Sequence, residues 1–322
     1  MQSERLMGLF GWASSVAASA SGSAHLRPSG PLSPEPVLPK DECIVPVARV
    51  NDINMYYEVH GRGEPLVLIS GLGGASDMWW QQVEHFAPHY MVITFDARGT
   101  GRSDVPDIPY SMQMLVGDIA ALLDRLSVGP AHLYGLSMGG MVAQEFTLCY
   151  PGRVISLVLG ATSCGGSHSV FPPDGVMLLL AEIQQLPPRQ AMQAAASLLF
   201  SQGFIDGQPT RVEELMIRSI QAPPSPLGFR RQMEATAGFD SYDRLPLVTV
   251  PALLIAGTED RLLPAENTRI LASRLPDVEV VLLEGLGHGY TWEAGEEADR
   301  AVLDFLRRHP APAGGNGTGT VH

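Results

Sequence analysis

A regular alternation of short apolar runs with segments of helical periodicity is the feature that most constrains this chain. The apolar runs that we interpret as strands cover residues 65–70, 90–96, 131–136, 154–161, 251–260 and 278–285. The helices predicted beside them cover residues 77–86, 111–128, 138–150, 264–274 and 293–309. Nearly unbroken apolar strands separated by helices indicate a parallel sheet that is covered on both faces. Ligands of such sheets bind at the carboxyl ends of the strands, so the residues that follow each strand are the functional candidates.

The alternation is interrupted between about residues 163 and 240. Helices without strands are predicted there, over residues 174–186, 189–201, 209–222 and 226–237. This segment lies between two strands of one sheet and is rich in Met, Leu, Phe and Ala, which favours a lid with an apolar underside over extra surface helices. We therefore predict a core of residues 44–162 and 241–309, which begins with an antiparallel hairpin, and a helical cap of residues 163–240.

Both ends of the chain lack the pattern of a folded domain. Residues 1–43 are predicted to be disordered or to form a leader, because residues 25–42 are proline-rich and the one apolar stretch, Leu6–Trp12, is short and interrupted by glycine. Residues 310–322 are predicted to be a disordered tail. We expect a cytoplasmic protein, although the N-terminal stretch has weak secretory-like features.

The charge balance and the cysteines limit the kinds of ligand and metal site that the chain can have. The chain has 322 residues, with 21 Lys and Arg against 34 Asp and Glu, for a formal net charge of −13. An acidic surface repels phosphate backbones, which argues against nucleic acid and favours an uncharged small molecule. Three scattered cysteines form neither a disulfide framework nor a zinc site, and no other metal-ligand cluster is present in the sequence. No apolar run approaches the roughly 18–20 residues of a membrane span, so no stable membrane insertion is expected. The sequence leaves the oligomeric state open.

The stretch YGLSMGG, residues 134–140, places Ser137 between a predicted strand and a predicted helix. Gly-Ser-Gly clusters are often simple turns, but a sharp strand-to-helix turn also presents a serine as a nucleophile. Such a turn crowds the residues two before and two after the serine, and glycine occupies both places, Gly135 and Gly139. The turn also directs the helix N-terminus, with the Met138 amide, toward a developing oxyanion.

A serine hydroxyl becomes a nucleophile when a neighbouring base, oriented by an acid, can take its proton. Asp260 ends one predicted strand, and His288 follows the last one in the stretch GLGHGYTWE. Taken alone, Asp260 fits a helix cap or a turn, and His288 fits an ordinary loop histidine. Because Ser137, Asp260 and His288 occur in this order at the ends of three separate strands, we predict that they form a catalytic triad.

The loop after the first buried strand supplies the remaining candidates. Its sequence Gly71-Leu72-Gly73 lets the backbone approach a substrate closely, and the Leu72 amide is the expected second oxyanion donor beside that of Met138. Four aromatic residues flank the proposed oxyanion and base loops and are candidates for pocket walls, with buried packing as the alternative: Trp79, Trp80, Tyr290 and Trp292.

The motifs GLSMGG, FDARGTGRSD, GTEDRLLP and GLGH together resemble the α/β-hydrolase superfamily and are most similar to small esterases, enol-lactonases and cofactor-free perhydrolases. The resemblance covers about residues 45–309. It implies an α/β-hydrolase fold, a mostly parallel eight-stranded sheet flanked by helices, with a helical cap inserted after the sixth strand. It also implies that the Asp96–Arg98–Gly99 stretch is structural. The chain has Ser70-Gly71 where many relatives have His-Gly, which keeps the backbone donor but changes its support.

These observations predict a serine hydrolase that cleaves an uncharged, hydrophobic carboxylic ester, lactone or thioester through an acyl-enzyme, without a cofactor or metal. Enol-lactonase, carbon–carbon hydrolase and cofactor-free perhydrolase activity on the same triad are the alternatives within enzymes. A small-molecule receptor on the same scaffold is the alternative of another class. A dinucleotide site at Gly71-x-Gly73-x-x-Ser76 is disfavoured because the third glycine is missing and the triad residues are left unexplained.

Overall fold

Eight strands form one sheet in the computed structural model, which describes residues 46–183, 186–220 and 225–312. The strands are β1 (Val47–Val50), β2 (Ile53–His60), β3 (Pro65–Ile69), β4 (Met91–Phe95), β5 (Ala131–Leu136), β6 (Val154–Gly160), β7 (Ala252–Gly257) and β8 (Val278–Leu283). Their order across the sheet is β1-β2-β4-β3-β5-β6-β7-β8. The hairpin β1–β2 and the pair β2–β4 are antiparallel, and all other pairs are parallel. The predicted fold class, a mostly parallel eight-stranded sheet, is confirmed.

Eleven α-helices accompany the sheet in the described part of the chain. They are α1 (Trp80–Phe86), α2 (Met112–Arg125), α3 (Met138–Cys149), α4 (Asp174–Glu182), α5 (Pro188–Leu199), α6 (Gln202–Gly207), α7 (Pro209–Ile220), α8 (Pro226–Thr236), α9 (Glu266–Ala272), α10 (Tyr290–Glu293) and α11 (Gly295–Arg308). Helices α4–α8 all lie between β6 and β7 in the chain, and we refer to them as the inserted helices. Their range agrees with the predicted interruption, while the division into two domains stays a prediction.

The period of two along the strands separates two hydrophobic clusters, one on each face of the sheet. Along β3, Val67 and Ile69 pack in a cluster with residues of α2 and α3, such as Phe146. Leu66 and Leu68 pack in the other cluster with residues of α1 and α11, such as Phe305. All of these side chains are buried, so the central strands are apolar on both faces, as their unbroken runs predict.

The structure differs from the sequence-based prediction at several element ends. The helix predicted over 77–86 is a 3₁₀ turn at Ser76–Trp79 followed by α1, and the helix predicted over 189–201 ends at Leu199. Ser201 then caps a separate helix, α6, by accepting a hydrogen bond from the Phe204 amide at 3.2 Å. The predicted leader, 1–43, and residues 313–322 of the predicted tail lie outside the described residues. In the part that is described, no helix is long and apolar enough to cross a membrane.

Candidate active site

Ser137 sits in a strained turn between β5 and α3. Its backbone angles are φ 58° and ψ −122°, a conformation that favours glycine, yet the residue carries a side chain. Hydrogen bonds hold the turn: the Ser137 amide donates to the Gly160 carbonyl at 2.8 Å, and the Thr162 hydroxyl donates to the Ser137 carbonyl at 2.7 Å. The neighbouring strand β6 therefore stabilises a turn that the local sequence disfavours.

The two flanking glycines are required by close backbone approach. A Cβ atom on Gly135 would overlap the Gly139 carbonyl oxygen, and a Cβ atom on Gly139 would overlap the Ile69 carbonyl oxygen. Only residues without a side chain allow the backbone segments around Ser137 to pack this closely, and this packing makes the sharp turn that places the serine at the start of α3. This is the sharp strand-to-helix turn that the spacing in the sequence predicts.

Asp260 and His288 form a buried hydrogen-bonded pair. His288 Nδ1 lies 2.7 Å from Asp260 Oδ2, and the side chains are 7% and 0% exposed, respectively. The other carboxylate oxygen of Asp260 accepts hydrogen bonds from the Leu262 and Leu263 amides, each at 2.8 Å. Because a carboxylate accepts, Nδ1 of the imidazole carries the proton in this hydrogen bond, which leaves Nε2 as an acceptor. The arrangement fixes both the ring orientation and the tautomer.

A pair of tyrosines connects the Ser137 strand to the His288 segment. Tyr134, three residues before Ser137, and Tyr290, two residues after His288, are fully buried, and their hydroxyl oxygens lie 2.9 Å apart. Burial raises the pKa of both tyrosines, which keeps both hydroxyls protonated. Ser137, Asp260 and His288 follow β5, β7 and β8 at the carboxyl edge of the sheet. No hydrogen bond joins Ser137 Oγ to His288 within the described residues, so their direct pairing stays a prediction.

The loop after β3 lies beside Ser137. A Cβ atom on Gly71 would lie 3.3 Å from Ser137 Cβ and 3.8 Å from its Oγ. The Leu72 and Met138 amides donate to no described residue, whereas the next amide along the loop, that of Gly73, does have a partner. An oxyanion needs backbone donors that are not already bonded, so Leu72 and Met138 stay the predicted oxyanion donors.

Ser70, which precedes Gly71, supports this loop. The Trp79 indole donates to Ser70 Oγ at 3.0 Å, and that hydroxyl donates to the Ala75 carbonyl at 3.3 Å. Trp79 is fully buried, with its ring centroid 5.1 Å from that of Tyr134. Hydrogen bonds to Trp79 and Ala75 therefore hold Ser70 in place.

The structure separates the four aromatic pocket candidates into two groups. Trp79 and Tyr290 are fully buried in the hydrophobic cluster of α1 and α11, so their assignment to the pocket is corrected to core packing. Trp80 and Trp292 instead contact the inserted helices. Arg218 lies over the Trp80 ring at 4.5 Å, and the Trp292 ring lies 6.2 Å from that of Phe200.

Glu293 is a residue near the site that the sequence analysis does not single out. Its carboxylate accepts hydrogen bonds from the Gly287 amide at 2.8 Å and from the Ser201 hydroxyl at 2.7 Å. The Ser201 amide also donates to Glu293 at 3.2 Å, and the Gly289 amide donates to the Leu199 carbonyl at 2.7 Å, so three hydrogen bonds join the segment around His288 to the inserted helices. Burial raises the pKa of Glu293. No sequence motif predicts that Glu293 joins these segments, because the two segments are about 90 residues apart in the chain.

The stretch after β4 is a buried polar scaffold, as the resemblance implies. Asp96 accepts hydrogen bonds from the Ser76 amide and hydroxyl, both at 2.7 Å, and from Arg102. Arg98 is 1% exposed and binds both carboxylate oxygens of Asp118, at 2.6 and 2.9 Å. These bonds make the loop after β4 a rigid wall beside the β3 loop.

The described residues contain no group of three or more His, Cys, Asp or Glu side chains that could hold a metal ion. A groove of about 320 Å³ lies between Trp80 and α7 and is lined also by Arg211, Glu214, Leu215, Ile217 and Arg218. Ser137, Asp260 and His288 do not line this groove, so its volume does not measure the proposed substrate pocket.

Comparisons with known proteins bear on the family and the fold of the chain. A family model described as the alpha/beta hydrolase family matches residues 66–304. A relative from Variovorax paradoxus, provisionally named carbamate hydrolase RutD, is 33% identical over 263 residues, which are 80% of this chain and 98% of the relative. The 3-oxoadipate enol-lactonase 2 of Acinetobacter baylyi is 30% identical over 260 residues, covering 80% and 94%. The solved structure of a thermophilic esterase from Thermogutta terrifontis superposes with a TM-score of 0.69 at 27% identity, covering 80% of this chain and 95% of the esterase.

Proposed function

The chain belongs to the alpha/beta hydrolase family, and on that premise we propose that it is a serine hydrolase of uncharged, hydrophobic carboxylic esters, lactones or thioesters. Ser137 is the nucleophile, His288 the general base and Asp260 the residue that orients the imidazole. The amides of Leu72 and Met138 form the oxyanion hole. The catalytic residues sit on loops at one edge of a rigid sheet, as this chemistry requires.

The reaction proceeds in two halves. Ser137 Oγ attacks the substrate carbonyl while His288 Nε2 takes its proton, and the oxyanion is stabilised by the two backbone amides. The imidazolium, held by Asp260, gives the proton to the leaving alcohol or thiol, which departs and leaves an acyl-enzyme. Water then attacks the acyl-enzyme with His288 as base, and the acid is released.

The observation that carries this proposal is the buried Asp260–His288 pair. Asp260 accepts three hydrogen bonds within the described residues, one from the imidazole and two from backbone amides, so its position is over-determined. The tautomer that results leaves His288 Nε2 as the proton acceptor, at the sheet edge where Ser137 is presented. A helix cap or a loop histidine alone requires neither the burial nor this orientation.

The test is turnover of a chromogenic ester panel of short to medium acyl chains by the wild type, Ser137→Ala and the control Ser273→Ala. Ser273 is exposed at the end of α9, so its variant should match the wild type. We expect Ser137→Ala to lose at least about 10³-fold in kcat and to lose labelling by a fluorophosphonate probe. Equal turnover by Ser137→Ala would refute the proposed mechanism.

A lactone substrate is the second candidate, supported by the relative named 3-oxoadipate enol-lactonase 2. A panel of uncharged and carboxylated lactones, measured beside the esters, separates the two by kcat/KM. A labelled Ser137 without turnover of any ester or lactone would instead favour a carbon–carbon hydrolase, a perhydrolase or a receptor.

A further inference from the structure

We propose that Gln232, on the inserted helix α8, is a positioning residue that holds the oxyanion loop in its working geometry. This inference rests on the proposed function, because it assigns Leu72 to the oxyanion hole. The side chain of Gln232 is fully buried. Its Oε1 accepts a hydrogen bond from the Gly73 amide at 3.0 Å, and its Nε2 donates to the Arg98 carbonyl at 2.9 Å.

The two bonds define the orientation of the Gln232 amide. The Gly73 amide is a donor and the Arg98 carbonyl is an acceptor, so only one of the two orientations of the carboxamide satisfies both. A buried carboxamide is costly to leave unpaired, and in this orientation its oxygen accepts one hydrogen bond while its nitrogen donates another. Gln232 therefore bridges the loop after β3 and the loop after β4.

The far end of this bridge is rigid. Arg98, whose carbonyl holds the Gln232 amide, is buried and paired with Asp118 through two short hydrogen bonds. Helix α8 also approaches this loop at backbone level, since a Cβ atom on Gly228 would overlap the Gly99 carbonyl oxygen. A rigid anchor is what a positioning residue needs to transmit a fixed geometry.

The near end of the bridge is the loop that needs support. Gly73 has a φ of 71°, and the loop has glycine on both sides of Leu72, so its backbone is intrinsically permissive. The Gly73 amide is the one directly after that of Leu72, which has no partner among the described residues. Holding Gly73 thus orients the peptide units that present the Leu72 amide beside Ser137.

The test compares Gln232→Met, which keeps the length of the side chain but makes neither hydrogen bond, with Arg231→Met on the same helix. Arg231 pairs with Asp107 and Glu234 and bonds to no residue of the β3 loop, so it reports helix docking alone. We expect kcat of Gln232→Met to fall about 10- to 100-fold with KM nearly unchanged, because a small displacement of an oxyanion donor acts on the transition state. Arg231→Met should keep kcat within about twofold of the wild type.

Two more measurements distinguish a positioning role of Gln232 from a general effect on the structure. The affinity for a boronic acid that forms a tetrahedral adduct with Ser137 should fall in Gln232→Met by the same factor as kcat. Hydrogen exchange of the peptide that contains residues 71–75 should accelerate in Gln232→Met and not in Arg231→Met. If Gln232→Met is too unstable to assay, Gln232→Glu keeps the acceptor for Gly73 and loses the donor to Arg98, and the same readouts apply.

The outcomes are distinguishable. A wild type without turnover contradicts the proposed function, and the exchange of residues 71–75 then still decides whether Gln232 holds the loop. An active wild type whose Gln232→Met variant keeps kcat, boronate affinity and loop exchange would overturn the inference. Parallel losses in Gln232→Met and Arg231→Met would also overturn it, because they assign the effect to helix docking.

Discussion

The strained backbone at Ser137 makes a prediction about stability as well as activity. Residues held in sparsely populated φ/ψ regions cost of order 1–3 kcal/mol each, and glycine adopts the observed φ of 58° without that penalty. Ser137→Gly should therefore be more stable than Ser137→Ala, although both remove the hydroxyl. The comparison with alanine is the informative one, because alanine keeps the Cβ atom that causes the strain.

The size of the difference follows from two opposing terms. Glycine regains the strain energy but pays about 0.5–1 kcal/mol in unfolded-state entropy, so the net gain over alanine should be about 1 kcal/mol, the middle of a range of about 0–2.5 kcal/mol. The hydroxyl does not enter this comparison, because both variants lack it. For a chain of this size such a gain raises Tm by about 2–4 °C.

The assay is paired thermal and urea unfolding of Ser137→Gly and Ser137→Ala, with ester turnover measured on the same preparations. Both variants should be inactive while the glycine variant melts later. If the alanine variant were equally stable or more stable, the argument that the turn stores strain would fail, because glycine alone is free of the Cβ contact.

Three further predictions follow from the site and its surroundings. Asp260→Asn should lower kcat about 10³- to 10⁴-fold with little change in KM, because asparagine no longer selects the required His288 tautomer. Steady-state kinetics measure this, and a kcat close to that of the wild type would mean that the pair is only structural. Gly139→Ala should destabilise by about 3 kcal/mol or more in urea unfolding, since its Cβ overlaps backbone, whereas Gly129→Ala, with nothing within 4 Å, should be tolerated. Burial raises the pKa of Asp299 from 3.8 to about 6, so its stabilising contribution is complete below pH 3.8 and is lost as pH rises through about 6. Asp299→Asn should thus gain about 3 kcal/mol at pH 8 and about half of that at pH 5, and a gain in unfolding free energy that does not depend on pH would contradict this reasoning.

Much of the fold was accessible from the sequence because local pattern and burial coincide. The runs around Leu133 and Leu157 are apolar on both faces, and such strands occur in sheets covered on both sides. The turn at Ser137 was also accessible, since the glycines at 135 and 139 leave little alternative to close backbone packing. The extra helix that Ser201 caps was missed, because a serine inside an apolar helical run gives no clear boundary.

The contacts between the inserted helices and the loops were beyond the sequence. Gln232 looks like any polar residue of an amphipathic helix, yet it is fully buried between two loops that lie more than 130 residues away along the chain. Trp79 and Tyr290 show the reverse case. They were expected to line a pocket because they are near the predicted loops in sequence, yet both are fully buried in the core. Neither outcome can be read from spacing, since both depend on how distant segments pack.

The close backbone approach of Gly228 to Gly99 has a consequence for protein engineering. One way to seek a new substrate preference is to replace residues 163–240 with the corresponding segment of a relative. Here a donor segment would need a residue without a side chain at position 228 and a carboxamide at position 232. On the proposed role of Gln232, a chimera that lacks either residue is expected to misplace the loop after β3, and its loss of turnover would then say nothing about the transplanted substrate pocket.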